Sequence, residues 1–108
     1  MTKLLTAIVL ILFVSSCNQD DNNECIENRI ANFDSEICNN GATVKRFTFQ
    51  GHTTYAIHPG NCIADGADEI LDAECNFLGF VGGFGGASEI NGENYYDNAT
   101  FEATVWQN

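Results

Sequence analysis

The side chains that could carry chemistry in this 108-residue chain are few: five cysteines, two histidines, a short run of carboxylates and a glycine-rich stretch. Asp65, Asp68, Glu69, Asp72 and Glu74 put five carboxylates into ten residues, enough hard oxygen ligands for calcium. Gly66 follows the first of them directly, and the alternating carboxylates of an EF-hand loop are missing. A solvated acidic loop is therefore the favoured expectation, with Asp65, Asp68, Glu69 and Asp72 as the calcium alternative. His52 and His58 fall at a turn and at a strand end, and neither neighbours a serine motif or a free thiol that would make a nucleophilic pair. Gly82-Gly83-Phe84-Gly85-Gly86 has no following Lys-Ser or Lys-Thr, which excludes a phosphate loop. No residue is assigned a catalytic role, no cofactor is implied, and the expectation is a non-enzyme.

Charge narrows the partners. Four Lys and Arg stand against 15 Asp and Glu, a formal charge of -11. Such a surface repels nucleic acid and anionic lipid.

The first residues read as an export signal. Lys3 precedes an unbroken apolar run from Leu4 to Val14, 11 residues against the roughly 18 to 20 that a spanning helix needs. The run ends in Val14-Ser15-Ser16-Cys17, which resembles the lipobox of bacterial lipoproteins, with valine where leucine is commonest. That resemblance implies cleavage after Ser16, a diacylglycerol on Cys17, and membrane attachment through the lipid alone. Residues 1–16 are then a signal peptide, and 17–23 a lipidated cysteine with a polar, acidic tether. A single domain of 24–108 follows. The tether resembles the surface-export signal of Bacteroidota lipoproteins, so the expected location is the outer membrane, on its periplasmic or cell-surface face.

With Cys17 used for lipid, Cys25, Cys38, Cys62 and Cys75 remain, an even number in an exported domain. Two disulfides follow. Three pairings are open. Twelve residues separate Cys25 from Cys38 and Cys62 from Cys75, which would suit local loops. However, Cys38 and Cys62 flank a predicted antiparallel hairpin that brings those flanks together, which favours Cys38 with Cys62 and Cys25 with Cys75. Zinc held by these cysteines with His52 and His58 is the competing use, and no C-x-x-C pair supports it.

The elements that must position these residues make an α+β domain: a short N-terminal helix packed on a small antiparallel sheet of about three to five strands. Ile26, Ile30 and Phe33 give residues 23–33 one apolar helical face. Val44–Phe49 and Thr53–Ile57 read as a hairpin around Gln50-Gly51-His52. An odd-length loop would gather Phe47, Tyr55 and Ile57 on one face, and that register is expected. Glu69–Leu71 and Cys75–Leu78 form a second hairpin. Five glycines between Gly79 and Gly86 suggest an ordered loop with Phe80 and Phe84 as anchors. Tyr95–Ala99 reads as a helical turn and Phe101–Trp106 as a last strand.

Taken together, Cys25-Ile26, Ile30 and Phe33, then Val44, Phe47, Phe49, Gly51, Tyr55, Cys62, Asp72, Cys75, Gly82-Gly83 and Val105-Trp106 resemble small Bacteroidota lipoproteins classed as a domain of unknown function. Where members carry an adjacent cysteine pair and a further cysteine before the glycines, this chain has Ile63 and Gly79. The resemblance implies location and fold, and no reaction. The functional expectation is a non-catalytic envelope lipoprotein that binds a protein or glycan partner through loops carrying Gly51, His52, Phe80, Gly82, Gly83 and Phe84. The alternative is an inhibitor of a basic secreted enzyme such as a lysozyme or protease, suited by the acidic surface and disulfide rigidity.

Overall fold

A computed structural model describes residues 24–33, 37–63, 66–83 and 85–108. The expected signal peptide, Cys17 and the expected tether lie outside the described residues, as do Asp65 and Phe84. The chain opens with helix α1 (Glu24–Ala31), followed by strands β1 (Thr43–Phe49), β2 (His52–His58), β3 (Ala67–Asp72) and β4 (Phe77–Gly82). A two-stranded ribbon, β5 (Glu89–Ile90) and β6 (Glu93–Asn94), leads into one helical turn, α2 (Tyr95–Asn98), and β7 (Thr100–Gln107) closes the chain. The main sheet is antiparallel throughout in the order β4-β3-β2-β1-β7. The fold is α+β, with two disulfides.

Strand alternation sends side chains to both faces, and both are covered. On one face Val44, Tyr55, Ile57 and Leu71 pack with Ile26 of α1, joined by Ile30, Phe33, Cys75, Val105 and Trp106. On the other, Phe47, Phe49, Ala56, Ile70 and Val81 pack with Ile90 and Tyr95 from the segment between β4 and β7. The expected odd hairpin loop is corrected here. Phe49 pairs with His52, so the turn has two residues, Gln50 and Gly51, both at positive φ of 52° and 77°. This register puts Phe47 and Phe49 on the face opposite Tyr55 and Ile57. A single core face would require the odd loop; a sheet covered on both sides needs apolar residues of both parities.

The glycine-rich segment is the second correction. Gly79 to Gly82 belong to edge strand β4 and pair with β3, with a register shift at Leu78. Gly79 stands in a strand because Ile90 crosses close above it: a Cβ there would lie 2.8 Å from Ile90 Cδ1. The chain turns only after Gly82, whose N–H donates to the Ala87 carbonyl at 2.6 Å.

Helix α1 has eight residues, too few for stability alone, and is held from outside itself. Its first turn is bonded through Cys25 to Cys75 in the β3–β4 turn. Arg29 makes a two-pronged pair with Glu69 of β3, Nη2 to Oε1 at 2.9 Å and Nη1 to Oε2 at 3.3 Å.

At the other end of the strands, the β1–β2 ladder runs on past both strands. The Cys38 N–H donates to the Pro59 carbonyl at 2.8 Å and the Asn61 N–H to the Asn40 carbonyl at 3.0 Å, and Cys38 is bonded to Cys62. Asn108 closes the same corner: its amide nitrogen donates to the Cys38 carbonyl and its amide oxygen accepts from the Ala42 N–H. Gly60 sits inside this corner at φ 110°, where a Cβ would lie 2.6 Å from the Asn40 carbonyl and 2.7 Å from Cys38 Cβ. Gly60→Ala is expected to destabilise the domain by about 2–4 kcal/mol through backbone strain and overlap. A urea melt checks this, and an unchanged midpoint would contradict the placement.

Candidate functional site

The segment from Glu89 to Asn98 lies over one face of the sheet, pinned by Tyr95. Tyr95 is fully buried, packs tilted against Phe49 with centroids 4.9 Å apart, and meets Phe47 edge-on at 5.6 Å. Its hydroxyl hydrogen-bonds the buried Thr54 hydroxyl at 2.6 Å. Among the described residues two hollows lie on this face, one toward each end of the strands.

The first, of about 440 Å³, is lined by Thr43, Lys45 and Phe47 of β1, Ala56 and His58 of β2, Asp68 of β3 and Tyr96 of α2. Alternation on three neighbouring strands and one turn of helix brings these residues together. His58 Nδ1 lies 2.7 Å from Asp68 Oδ1, and the Tyr96 hydroxyl donates to Asp68 Oδ2. A carboxylate oxygen only accepts, so Nδ1 carries the proton, and in the neutral imidazole Nε2 presents a lone pair. Burial, and then the Asp68 carboxylate beside it, push the Tyr96 phenol well above its usual range, so it stays a neutral donor. Its ring meets Phe47 at 5.6 Å, and Phe101 meets the same Phe47 at 5.7 Å, which leaves two half-exposed aromatic rings beside the hollow.

Lys45 stands at this hollow without a carboxylate partner. Among the described residues Arg29 pairs with Glu69 and Arg46 approaches Glu102 at 3.9 Å, whereas Lys45 makes no ion pair.

The second hollow, of about 480 Å³, lies at the turn end between Gln50, Gly51, His52, Asp72, Glu74 and Asn91. Gln50 Nε2 donates to Glu93 Oε1 at 3.1 Å, tying the β1–β2 turn to the β5–β6 ribbon. Asp72 closes the β3–β4 turn, its Oδ1 accepting from the N–H groups of Glu74 and Asn76 at 2.9 and 2.8 Å.

The residues expected to form one binding surface are therefore spread out. Gly51 and His52 lie at the turn end, whereas Gly82 is the last residue of β4 and Gly83 follows it at the opposite end. Phe80 is on the strand itself, half-exposed and edge-on to Phe77 at 5.1 Å. The described calcium candidates do not converge either: Asp68 points to the face carrying His58, Glu69 points to the helix face and pairs with Arg29, and Asp72 is engaged in its turn. No group of three or more His, Cys, Asp or Glu among the described residues is arranged to hold a metal ion. Cys38, Cys62, Cys25 and Cys75 are joined as Cys38–Cys62 and Cys25–Cys75, with Cα–Cα distances of 5.6 and 6.0 Å.

Sequence reading missed Lys45, Asp68 as the partner of His58, and Tyr96. The available signal was alternation: Lys45, His58 and Asp68 share a face once the two-residue turn sets the register.

The family described as Domain of unknown function (DUF6970) matches residues 32–108. The chain belongs to this family. The match contains the whole sheet, both hollows, and Cys38, Cys62 and Cys75; helix α1 with Cys25 precedes it. No curated protein and no solved structure matches the chain. Two disulfides in so small a domain indicate an oxidising location. No helix among the described residues is long and apolar enough to cross a membrane.

Proposed function

We propose that this DUF6970 protein is a lipid-anchored envelope lipoprotein, held at the outer membrane through Cys17, whose disulfide-braced domain is a non-catalytic binding module. The carrying observation is the use of the cysteines. Four of the five are joined in two disulfides, so Cys17, at the end of the apolar run, is the one left over for acylation. Without Cys17 the chain would hold no odd thiol at a processing site.

The non-catalytic part rests on the His58–Asp68 pair. An imidazole held by a carboxylate supplies two of the three members of a nucleophilic triad, yet no described serine, threonine or thiol hydrogen-bonds His58 Nε2. The hollow beside it offers donors, an acceptor and aromatic surface, which is the equipment of recognition.

The anchoring is tested by mass spectrometry of the protein from its native envelope. The expected N-terminal peptide begins at Cys17 and carries acyl chains, and Cys17→Ala leaves an unacylated protein that washes off the membrane. A peptide that begins elsewhere, or an unmodified Cys17, would overturn the reading.

A further inference from the structure

We propose that the hollow between Lys45, His58 and Tyr96 binds a neutral sugar, gripping a vicinal pair of hydroxyls between His58 Nε2 and Lys45 Nζ with the sugar ring against Tyr96. This names the ligand class of the binding module proposed above and rests on that reading. The argument begins with what each group still has to offer. Each oxygen of Asp68 accepts one hydrogen bond, from His58 and from Tyr96, so its carboxylate orients both groups. His58 Nδ1 is fixed on Asp68, which in the neutral imidazole leaves Nε2 as an acceptor. Among the described residues Lys45 has no carboxylate partner, in a chain where acids outnumber bases by 15 to 4, so its ammonium is an uncommitted donor.

The register makes the two neighbours. Thr43 faces His58 and Lys45 faces Ala56, which sets Lys45 diagonal to His58 on the same side of the sheet. A sugar diol both donates and accepts across adjacent carbons, which matches one acceptor beside one donor. Tyr96 supplies a half-exposed ring for the apolar face of a pyranose, and a hollow of about 440 Å³ has room for it.

Other ligand classes fit less well. An anion would meet the Asp68 carboxylate and a chain of charge -11. A divalent cation would find a single carboxylate, already engaged, next to an ammonium group. A wholly apolar ligand would strip water from Lys45 and His58 without replacing its hydrogen bonds.

The test uses the full-length chain in a zwitterionic detergent, because a maltoside headgroup would itself compete. Methyl glycosides of glucose, galactose, mannose and N-acetylglucosamine are titrated and followed by saturation-transfer and chemical-shift NMR. At least one is expected to bind and to shift His58 and Tyr96, with little dependence on salt. Lys45→Met and Tyr96→Ala should each weaken that binding about tenfold, the worth of one charged hydrogen bond or one ring platform. Glu74→Gln, at the far hollow, should leave it unchanged. Lys45 is exposed and outside both cores, so its variant tests binding without endangering the fold, and circular dichroism confirms that each variant is folded.

Three results would overturn the inference: no glycoside binding up to the solubility limit, binding untouched by Lys45→Met, or salt-sensitive binding of acetate or phosphate at this hollow instead. Sugar binding that maps to Gln50 and Asn91 would also overturn it while leaving the module reading in place. Acylation of Cys17 is measured separately, so anchoring stands or falls on its own result.

Discussion

Replacing Cys25 and Cys75 together by serine is expected to lower the melting temperature by about 15–30 °C. The bridge closes a loop of 50 residues, and the entropy that such a link removes from the unfolded chain is worth about 4 kcal/mol. For a domain of this length each kcal/mol moves the midpoint by about 4–8 °C. The Cys38–Cys62 bridge closes 24 residues and is worth about 3.5 kcal/mol by the same reasoning. The Cys25–Cys75 bridge has a second task. Helix α1 covers Tyr55, Ile57 and Leu71, and it is too short to stay helical when undocked. The double variant should therefore lose hydrogen-exchange protection in Glu24–Ala31 before the sheet does, and should bind an apolar dye on the uncovered face. A thermal melt within a few degrees of the wild type, with α1 still protected, would show that Ile26 and the Arg29–Glu69 pair hold the helix without the bridge.

The fold was legible wherever local chemistry spoke for itself. Alternation in Val44–Phe49 and Thr53–Ile57 marks a hairpin, Ile26 and Ile30 mark a helical face, and four cysteines in a domain this small mark two bridges. What local chemistry does not carry is which way the sheet faces. Phe47 and Tyr55 are both large and apolar, and the pattern alone reads as one core side or two. The choice was made by Ile90 and Tyr95, more than thirty residues further on, which roof the face that α1 leaves open. The glycines misled for the same reason. Gly79 is a poor strand residue in isolation and a suitable one beneath Ile90, a contact that no local window contains.

The site was less legible than the fold. Asp68 stood in an acidic run that reads as solvated surface, and Tyr96 stood in a helical turn. Only the pairing of β2 with β3, and the return of α2 across them, set both against His58. A cluster whose members come from three elements and lie 10 and 28 residues apart has no spacing signature to read.

Alkali should unfold this protein through its tyrosines. All three are held above their usual value, each chiefly by burial: Tyr55, Tyr96 and, pushed up to about 12, Tyr95. Tyr95 decides the effect because it has no exposure to solvent and its hydroxyl is bonded to Thr54. A phenol whose pKa rises on folding keeps its proton more tightly in the native state, so its contribution is complete below the unfolded value of about 10. As pH climbs from 10 to 12 the unfolded chain ionises first, and about 2–3 kcal/mol of stability is lost. Absorbance at the phenolate band should therefore rise together with loss of tertiary structure, in one cooperative step above pH 10. Tyr95→Phe removes the ionisable group along with the Thr54 hydrogen bond. It should cost about 1–2 kcal/mol at neutral pH and flatten the alkaline loss. Tyr95→Ala empties the space between Phe47 and Phe49 and should cost about 3–5 kcal/mol. Three tyrosines titrating independently near pH 10 with the fold intact would mean that Tyr95 is reachable by water, and the segment from Glu89 to Asn98 would then be a loose cover over the sheet.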